Sequence, residues 1–378
     1  MAINPYSTQC IDMDDLKAVQ QALQGAHLTQ GPLAEQFEGA LADYLGVKHV
    51  VVCTSATTAL FMLYHALDLA HSKVITTPLS FVATASMLLA NHATPIFCDI
   101  QEDGNIDPTL LESCLESGVR AVVSVDYGGA SVDVVALKAF CTKHGLLFLS
   151  DSSHAFGGEY AGAKIGALAD ASVFSFHAIK SITTAEGGAV ATNDSTLYKR
   201  LKLLISHGVK KDGWDTEVQS LGFNFRMNEL QAALGLSQLK KVDIFIAKRE
   251  EIACLYDDLF KDNPYFTCLH ATLDPKIKST NHLYPILLKP SLWGQKTQIL
   301  DALLKAQMGV QVHYKPIHTF KLYQDLLGKQ ILPKAQSFYK AEISLPCHQK
   351  MSLEQVKESA TKVLEILQAQ SKAIGDHA

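Results

Sequence analysis

The chain has 378 residues, 48% of them hydrophobic and 19% charged, with a formal net charge of −5. That length can bury one large core and a smaller one, and the weakly acidic balance gives no electrostatic footprint for nucleic acid or an anionic membrane. The opening MAINPYSTQC has neither a basic nor an apolar signal segment, and no run reaches the roughly 18 apolar residues of a spanning helix, so a soluble, cytoplasmic protein is expected.

From residue 49 onward short apolar runs alternate with helical patterns. HVVVC (49–53) reads as a strand and 57–67 as a helix; VITT (74–77) is followed by a helix over 83–90. PIFCDI (95–100) leads to a helix at 110–115, and RAVVSVDY (120–127) to one at 134–144. LLFLSD (146–151), SVFSF (172–176) and GGAVATND (187–194) are three more strands, the last followed by a helix over 197–206. Buried, β-branched strands alternating with amphipathic helices indicate an α/β fold with a mostly parallel sheet covered on both faces. Past residue 240 the pattern changes. A long helix (241–260), NHLYPILL (281–288), a helix over 298–306, VQVHYKP (310–316) and a last helix over 353–370 indicate a smaller α+β domain. The expected division is therefore a large domain over 1–240 and a small one over 241–378, with the first 25 residues packed on the small domain or laid across the active site. Eight cysteines, none in Cys-x-x-Cys spacing and several in apolar runs, read as reduced thiols.

Open α/β sheets place ligands at the carboxyl ends of their strands, and three segments there carry chemistry. Lys180, in SFHAIK, follows a strand end within an apolar stretch; desolvation lowers an amine's pKa and makes it a nucleophile toward an aldehyde. A lysine snorkelling from a strand end would look the same. Asp151 ends a buried strand in LSDSSHAFG, where it can pair with a protonated pyridine nitrogen, although Asp-Ser-Ser is also turn and capping chemistry. His154 lies three residues on, within reach of a cofactor ring. Ser55, Ala56 and Thr57 open a helix directly after the first strand, and a helix N-terminus with hydroxyls favours a phosphate; ordinary capping is the alternative. His313 and His318 lack a third metal ligand of suitable spacing, so no metal is expected.

Taken together, LTQGP (28–32), SATTAL, TTPLSFVATASMLL, the aspartate segment, SFHAIK, TTAEGGAVATND and GFNFRMNELQAALGLSQL (222–239) resemble the sugar aminotransferases of the DegT/DnrJ/EryC1/StrS family over nearly the whole chain. The resemblance implies a fold-type-I, aspartate-aminotransferase-like architecture with a seven-stranded sheet, and pyridoxal 5′-phosphate as cofactor. It also implies a cytoplasmic homodimer. Position by position, it makes Lys180 the lysine that carries the cofactor as a Schiff base, Asp151 the partner of the ring nitrogen and His154 a neighbour of the ring oxygen. Phe81 becomes the aromatic stacked on the ring, where relatives use tryptophan. Ala56, Thr57 and Ser175, beside Ser55, take the phosphate, and Asn224 reaches the phosphate in the neighbouring subunit. Tyr6, the segment Ala26, His27, Leu28 and Thr29, and His313, Tyr314, Lys315 and Pro316 are implied for the sugar nucleotide. Glu186, in AEGG, reads as a loop residue.

DSSHAFG, SVFSFHAIKSITTAEGGAV and QVHYKPIH are similar to the branch of the family that serves pseudaminic acid synthesis. That implies amination at C4 of UDP-2-acetamido-2,6-dideoxy-β-L-arabino-hexos-4-ulose, with L-glutamate as donor and 2-oxoglutarate as co-product. Another nucleotide-linked 4-keto or 3-keto sugar is the alternative substrate. A sugar dehydratase of the same family replaces the lysine by histidine, and a silent regulator would not need the lysine, aspartate and phosphate loop together.

Overall fold

The computed structural model describes residues 4–375; residues 1–3 and 376–378, which the expected domain bounds include, lie outside it. The apolar runs of the first half become β1 (His49–Cys53), β2 (Lys73–Thr76), β3 (Thr94–Phe97), β4 (Val119–Val125), β5 (Leu147–Asp151), β6 (Ala171–Ser175) and β7 (Gly188–Thr192). They form one sheet in the order β1-β7-β6-β5-β4-β2-β3. The pairs β2/β3, β2/β4, β4/β5 and β5/β6 are parallel, and β7 alone is reversed, antiparallel to both β6 and β1. The fold is the mostly parallel, seven-stranded α/β architecture expected of fold-type-I enzymes.

Helices α1 (Met13–Gln24) and α2 (Pro32–Leu45) precede the sheet. Between its strands come α3 (Ala56–Ala66), α4 (Ala83–Ala90) and α5 (Val134–His144), and after it α6 (Ser195–Leu204), α7 (Glu229–Leu239) and α8 (Val242–Leu259). The pleat of each strand serves two cores. Val51 and Cys53 pack with α3, α4 and α6, whereas Val50 and Val52 pack with Phe37 and Leu41 of α2 and with Phe245 of α8. Ile75, Val122 and Phe148 face α5 through Leu137 and Phe140. Each fully buried side chain of this kind contributes roughly 1.5–3 kcal/mol.

In the C-terminal part β8 (Phe266–Cys268), β9 (Tyr284–Leu288) and β10 (Glu342–Leu345) form a three-stranded antiparallel sheet. It carries α9 (Lys296–Lys305), α10 (Lys321–Leu327), α11 (Pro333–Ala341) and α12 (Leu353–Gly375). Helix α8 links the two parts: its first turns bury Val242, Phe245 and Ile246 against the large sheet, and its later turns bury Ile252 and Tyr256 in the core of the small one. Residues near the N-terminus divide in the same way. Asn4 bridges to Met308 and donates to Ser359, while α1 lies on α7 and is held by Gln238 Nε2 donating to Asp15 at 2.7 Å.

Three local expectations are corrected. The helix at 110–115 is a 3-10 turn, Pro108–Cys114, whose start is fixed by the Asp107 carboxylate accepting from the Thr109 N–H. The strand begun by PIFCDI ends at Phe97; the Cys98 N–H still reaches the Thr76 carbonyl, but the Asp99 carbonyl turns to accept from the Asp107 N–H. VQVHYKP forms no strand, only a bridge between Gln311 and Ser344. No helix among the described residues is long and apolar enough to cross a membrane.

Candidate active site

A cavity of about 440 Å³ opens where β1, β4, β5 and β6 end. The connections after β1, β2, β5 and β6 converge on it, beside Val125 at the end of β4, because parallel strands deliver their following loops to the same edge. After β1, Ser55 caps α3: its side chain accepts from the Thr58 N–H at 3.1 Å. Ala56 and Thr57 form the first turn and line the cavity with Ser55. The amino end of reversed β7 lies against this turn. A Cβ on Gly188 would sit 2.3 Å from the Ser55 carbonyl carbon and 2.5 Å from the Ala56 nitrogen, so only glycine lets the two segments meet.

Asp151, the last residue of β5, is buried and turned into the cavity. Its carboxylate accepts from the Thr84 hydroxyl at 2.7 Å, and from the Ser153 N–H and hydroxyl at 3.2 and 2.5 Å. Lys180 stands on the loop after β6, surrounded by protein but open to the cavity mouth. Burial pulls its ammonium down to about 8; the Asp151 charge opposes that shift and the Arg249 charge adds to it. His154 is held well below its usual pKa, first by burial and then by the Lys180 charge, and is therefore a neutral imidazole. Its Nε2 lies 3.1 Å from the Tyr314 hydroxyl, while its buried Nδ1 has no protein partner.

The cavity thus gathers Lys180, Asp151, His154, Phe81, Ser55, Ala56, Thr57, Ser175, His313 and Tyr314 of the expected set. Phe81 is 60% exposed, its ring 6.5 Å from that of Tyr314, and forms an open aromatic wall. Tyr6 stands behind His313, its hydroxyl 3.3 Å from Nε2. Pro316 is buried beyond, and Lys315 points away, its ammonium over the Phe320 ring. Tyr6, Lys315 and Pro316 are not among the residues that line this chain's cavity, and two further groups are not brought into it. Ala26 and His27 line a separate cleft of about 690 Å³ between α1 and α7, with Leu28 exposed and Thr29 following it. Asn224 is exposed, bridged to Ser206 outside the cavity. The larger cleft holds neither Lys180 nor Asp151, so size does not mark the chemistry here.

His177, Ser153 and Glu186 also line the cavity. His177 Nε2 and Glu186 Oε1 are 3.9 Å apart across its rim. Glu186 was expected only as a loop residue; the reversal of β7 brings the loop before it back to the cavity edge. Thr84 is a further contact that the sequence concealed, since its place in the first turn of α4 reads simply as part of the helix start.

The donor set fits pyridoxal phosphate. An amine of lowered basicity suits an aldehyde, a buried carboxylate suits a ring nitrogen, and the capped start of α3, closely backed by Gly188, suits a phosphate.

Comparison with known proteins agrees. The model of the DegT/DnrJ/EryC1/StrS aminotransferase family matches residues 9–364. A UDP-4-amino-4,6-dideoxy-N-acetyl-β-L-altrosamine transaminase of Helicobacter pylori is 53% identical over 96% of this chain and 98% of its own length. One of Campylobacter jejuni is 46% identical over 97% and 98%. Among solved structures, Helicobacter pylori PseC, an aminotransferase involved in pseudaminic acid biosynthesis, superimposes with a TM-score of 0.95 at 53% identity, over 97% of this chain and 99% of that one. The Streptococcus pneumoniae sugar aminotransferase Spr1654 gives 0.94 at 28% identity, over 98% of each chain. The chain belongs to the DegT/DnrJ/EryC1/StrS aminotransferase family, and its cofactor is pyridoxal phosphate.

Proposed function

We propose that the chain moves an amino group from L-glutamate to C4 of UDP-2-acetamido-2,6-dideoxy-β-L-arabino-hexos-4-ulose, giving UDP-4-amino-4,6-dideoxy-N-acetyl-β-L-altrosamine for pseudaminic acid synthesis. The observation that carries the substrate is identity of 53% and 46% to two transaminases of that name, sustained along the whole chain. The chemistry rests on the cavity, where one desolvated amine faces one buried carboxylate.

Bound there, pyridoxal phosphate supplies an electron sink. In this reading Lys180 holds the cofactor covalently, and its Nζ, once released, takes the proton from the α-carbon of glutamate and later returns one at C4 of the sugar. Its lowered pKa leaves part of the amine neutral near pH 7, as a base requires. Asp151 keeps the ring nitrogen protonated, and Thr84 and Ser153 fix the carboxylate so that it need not reorganise. His154, uncharged, meets the ring oxygen, and Phe81 covers the ring face. Ser55, Ala56, Thr57 and Ser175 hold the phosphate.

The same reading includes a two-fold dimer in which Asn224 completes the partner's phosphate site, and a division into domains near residue 240, between α7 and α8. The sugar nucleotide lies against Tyr6, His313 and Tyr314, extending toward Lys315, Pro316 and the 26–29 segment. A competition between this L-sugar and its D-configured 4-keto relative, with the amino products resolved by NMR, tests the assignment. Preference for the L-sugar and an axial-or-equatorial outcome matching the altrosamine supports it; preference for the D-sugar moves the enzyme to another substrate while leaving its family unchanged.

A further inference from the structure

Behind the wall formed by His313 and Tyr314 lies a carboxylate that the reading above does not use. Glu342 opens β10 and Ser344 follows two residues later, so the pleat sets both side chains on one face. Ile343 and Leu345 point the other way, into the core of the small sheet. Both polar residues are fully buried, and the chain is clamped to the 311–313 segment by paired main-chain bonds between Gln311 and Ser344. A buried carboxylate is costly unless its oxygens are satisfied. Here one oxygen accepts the His313 N–H at 2.8 Å and the other accepts the Ser344 hydroxyl at 2.5 Å.

The bonding continues in one direction. Ser344 Oγ lies 2.9 Å from His313 Nδ1. A hydroxyl that has given its only proton to a carboxylate can only accept from the ring, so Nδ1 carries the hydrogen. Burial and the Lys180 charge push the His313 pKa down to about 3, so the ring is neutral and has one proton. Nε2 is then a bare acceptor, and the bond with the Tyr6 hydroxyl at 3.3 Å must run from Tyr6 to His313. Tyr6 is thereby left with lone pairs only. The rest of the main chain is pinned by the Tyr127 hydroxyl donating to the His313 carbonyl at 2.5 Å.

We infer that Glu342 is a positioning residue for the sugar side of the reaction: when ionised it fixes, through Ser344, the tautomer of His313 and so makes the Tyr6 hydroxyl an acceptor for hydroxyl or amide N–H groups of the sugar. The inference rests on the reading that Tyr6 and His313 face the sugar nucleotide.

Burial pushes the Glu342 carboxyl up to about 8, against the Ser344 bond and the charge of Lys296 on α9. The other titratable groups around the array are His313, Tyr314, Tyr6 and Tyr127, with Lys180 and Arg249 acting from farther off. A protonated Glu342 would donate to Ser344 and reverse every bond, and Glu342→Gln imposes that reversed direction at any pH. Its carbonyl must face the His313 N–H, so its amide must donate to Ser344.

The test uses holoenzyme labelled with ¹⁵N-histidine at pH 9, where the wild-type carboxyl is ionised, with the His313 signals identified by their loss in His313→Gln. Wild type should carry the ring proton on Nδ1 and Glu342→Gln on Nε2. In steady state at pH 9 Glu342→Gln should raise KM for the UDP-4-keto sugar about tenfold, the consequence of one mismatched buried hydrogen bond, with kcat within about twofold and KM for glutamate unchanged. Ser344→Ala should give the same rise in KM, and Ser344→Thr, which restores the hydroxyl, should return it to the wild-type value. If Glu342→Gln does not fold, the Ser344 pair decides alone. The same tautomer in wild type and Glu342→Gln, a KM that does not move in Ser344→Ala, or equal shifts for both substrates would overturn the inference. Cofactor absorbance and the site of borohydride reduction are scored separately: their failure in wild type would sink the active-site reading, not the tautomer assignment.

Discussion

Lys180 and Asp151 form the residue-scale centre of the molecule, and their environments make opposite demands. Asp151 is buried yet keeps donors on both oxygens, from Thr84 and Ser153. Asp151→Asn retains the shape and removes the charge that a protonated ring nitrogen needs. Turnover should fall roughly a hundredfold or more, a loss of about 3 kcal/mol in transition-state stabilisation; near-wild-type kcat would make the aspartate a turn cap. For Lys180 the sign of the pH effect follows from its depressed pKa of about 8 against an ordinary 10.5. In the apoprotein the native state binds fewer protons than the unfolded chain between those values, so the penalty of charging the buried amine is fully present below pH 8 and vanishes as pH rises toward 10.5. Lys180→Met should therefore be more stable than wild-type apoprotein at pH 7, by up to about 3 kcal/mol, with the gap closing by pH 10.5 in urea titrations. A gap that does not change with pH would mean the amine is not perturbed. Both residues were legible because each ends or follows an apolar strand, and that position says where the side chain goes. Glu342 was not: in AEISLP it looks like the polar start of a strand, and only the approach of residue 311–313 makes it a buried acceptor.

At the scale of elements, the cavity depends on how a strand end meets a helix start. β1, the Ser55 cap and α3 are continuous in sequence, and their apolar-then-hydroxyl pattern was readable. Their close contact with β7 was not, because β7 begins at Gly188, far along the chain from Cys53, and runs reversed; GGAV shows small residues but no direction. Gly188→Ala would thrust a methyl group into the Ser55–Ala56 peptide, where backbone cannot yield cheaply. The expected outcome is at least a tenfold weaker hold on pyridoxal phosphate, read by fluorescence titration of apoprotein, with a loss of about 1–3 kcal/mol in stability. Unchanged affinity would show that the phosphate does not rely on this junction. Ser55→Ala, by contrast, removes one cap bond and should cost about 1 kcal/mol in stability. Long periodic helices such as α8 and α12 were legible for the ordinary reason that 3.6-residue spacing persists over many turns. The 3-10 turn Pro108–Cys114 has too few residues to establish a period, and 310–316 alternates like a strand but finds only one bridging partner.

For the whole molecule the question is whether one chain contains a complete site. Its cavity holds the amine, the carboxylate and the start of α3, but Asn224 is exposed on the segment between the α6 region and α7, outside that cavity. Nearby, Trp214 is 96% exposed, Val218 68% and Leu221 65%, on and just after the hairpin formed by Val209–Asp212 and Asp215–Val218. Exposed apolar side chains set on a charged hairpin beside an exposed site residue are what a two-fold interface would cover, since a C2 contact carries the same loop into both sites. If so, a Lys180→Ala subunit still offers a sound Asn224, and an Asn224→Ala subunit still offers a sound lysine. In a hybrid of the two, one site has both defects and the other has neither. Equal mixing with free exchange makes half of the dimers hybrid, each with one working site, so activity should return to about a quarter of wild type from two nearly inactive parents. The recovery should track subunit exchange, followed by mass or by fluorescence transfer, and disappear when exchange is blocked by cross-linking each parent beforehand. No recovery despite demonstrated exchange, or full activity in a monomer, would mean that Asn224 serves its own chain or no site at all.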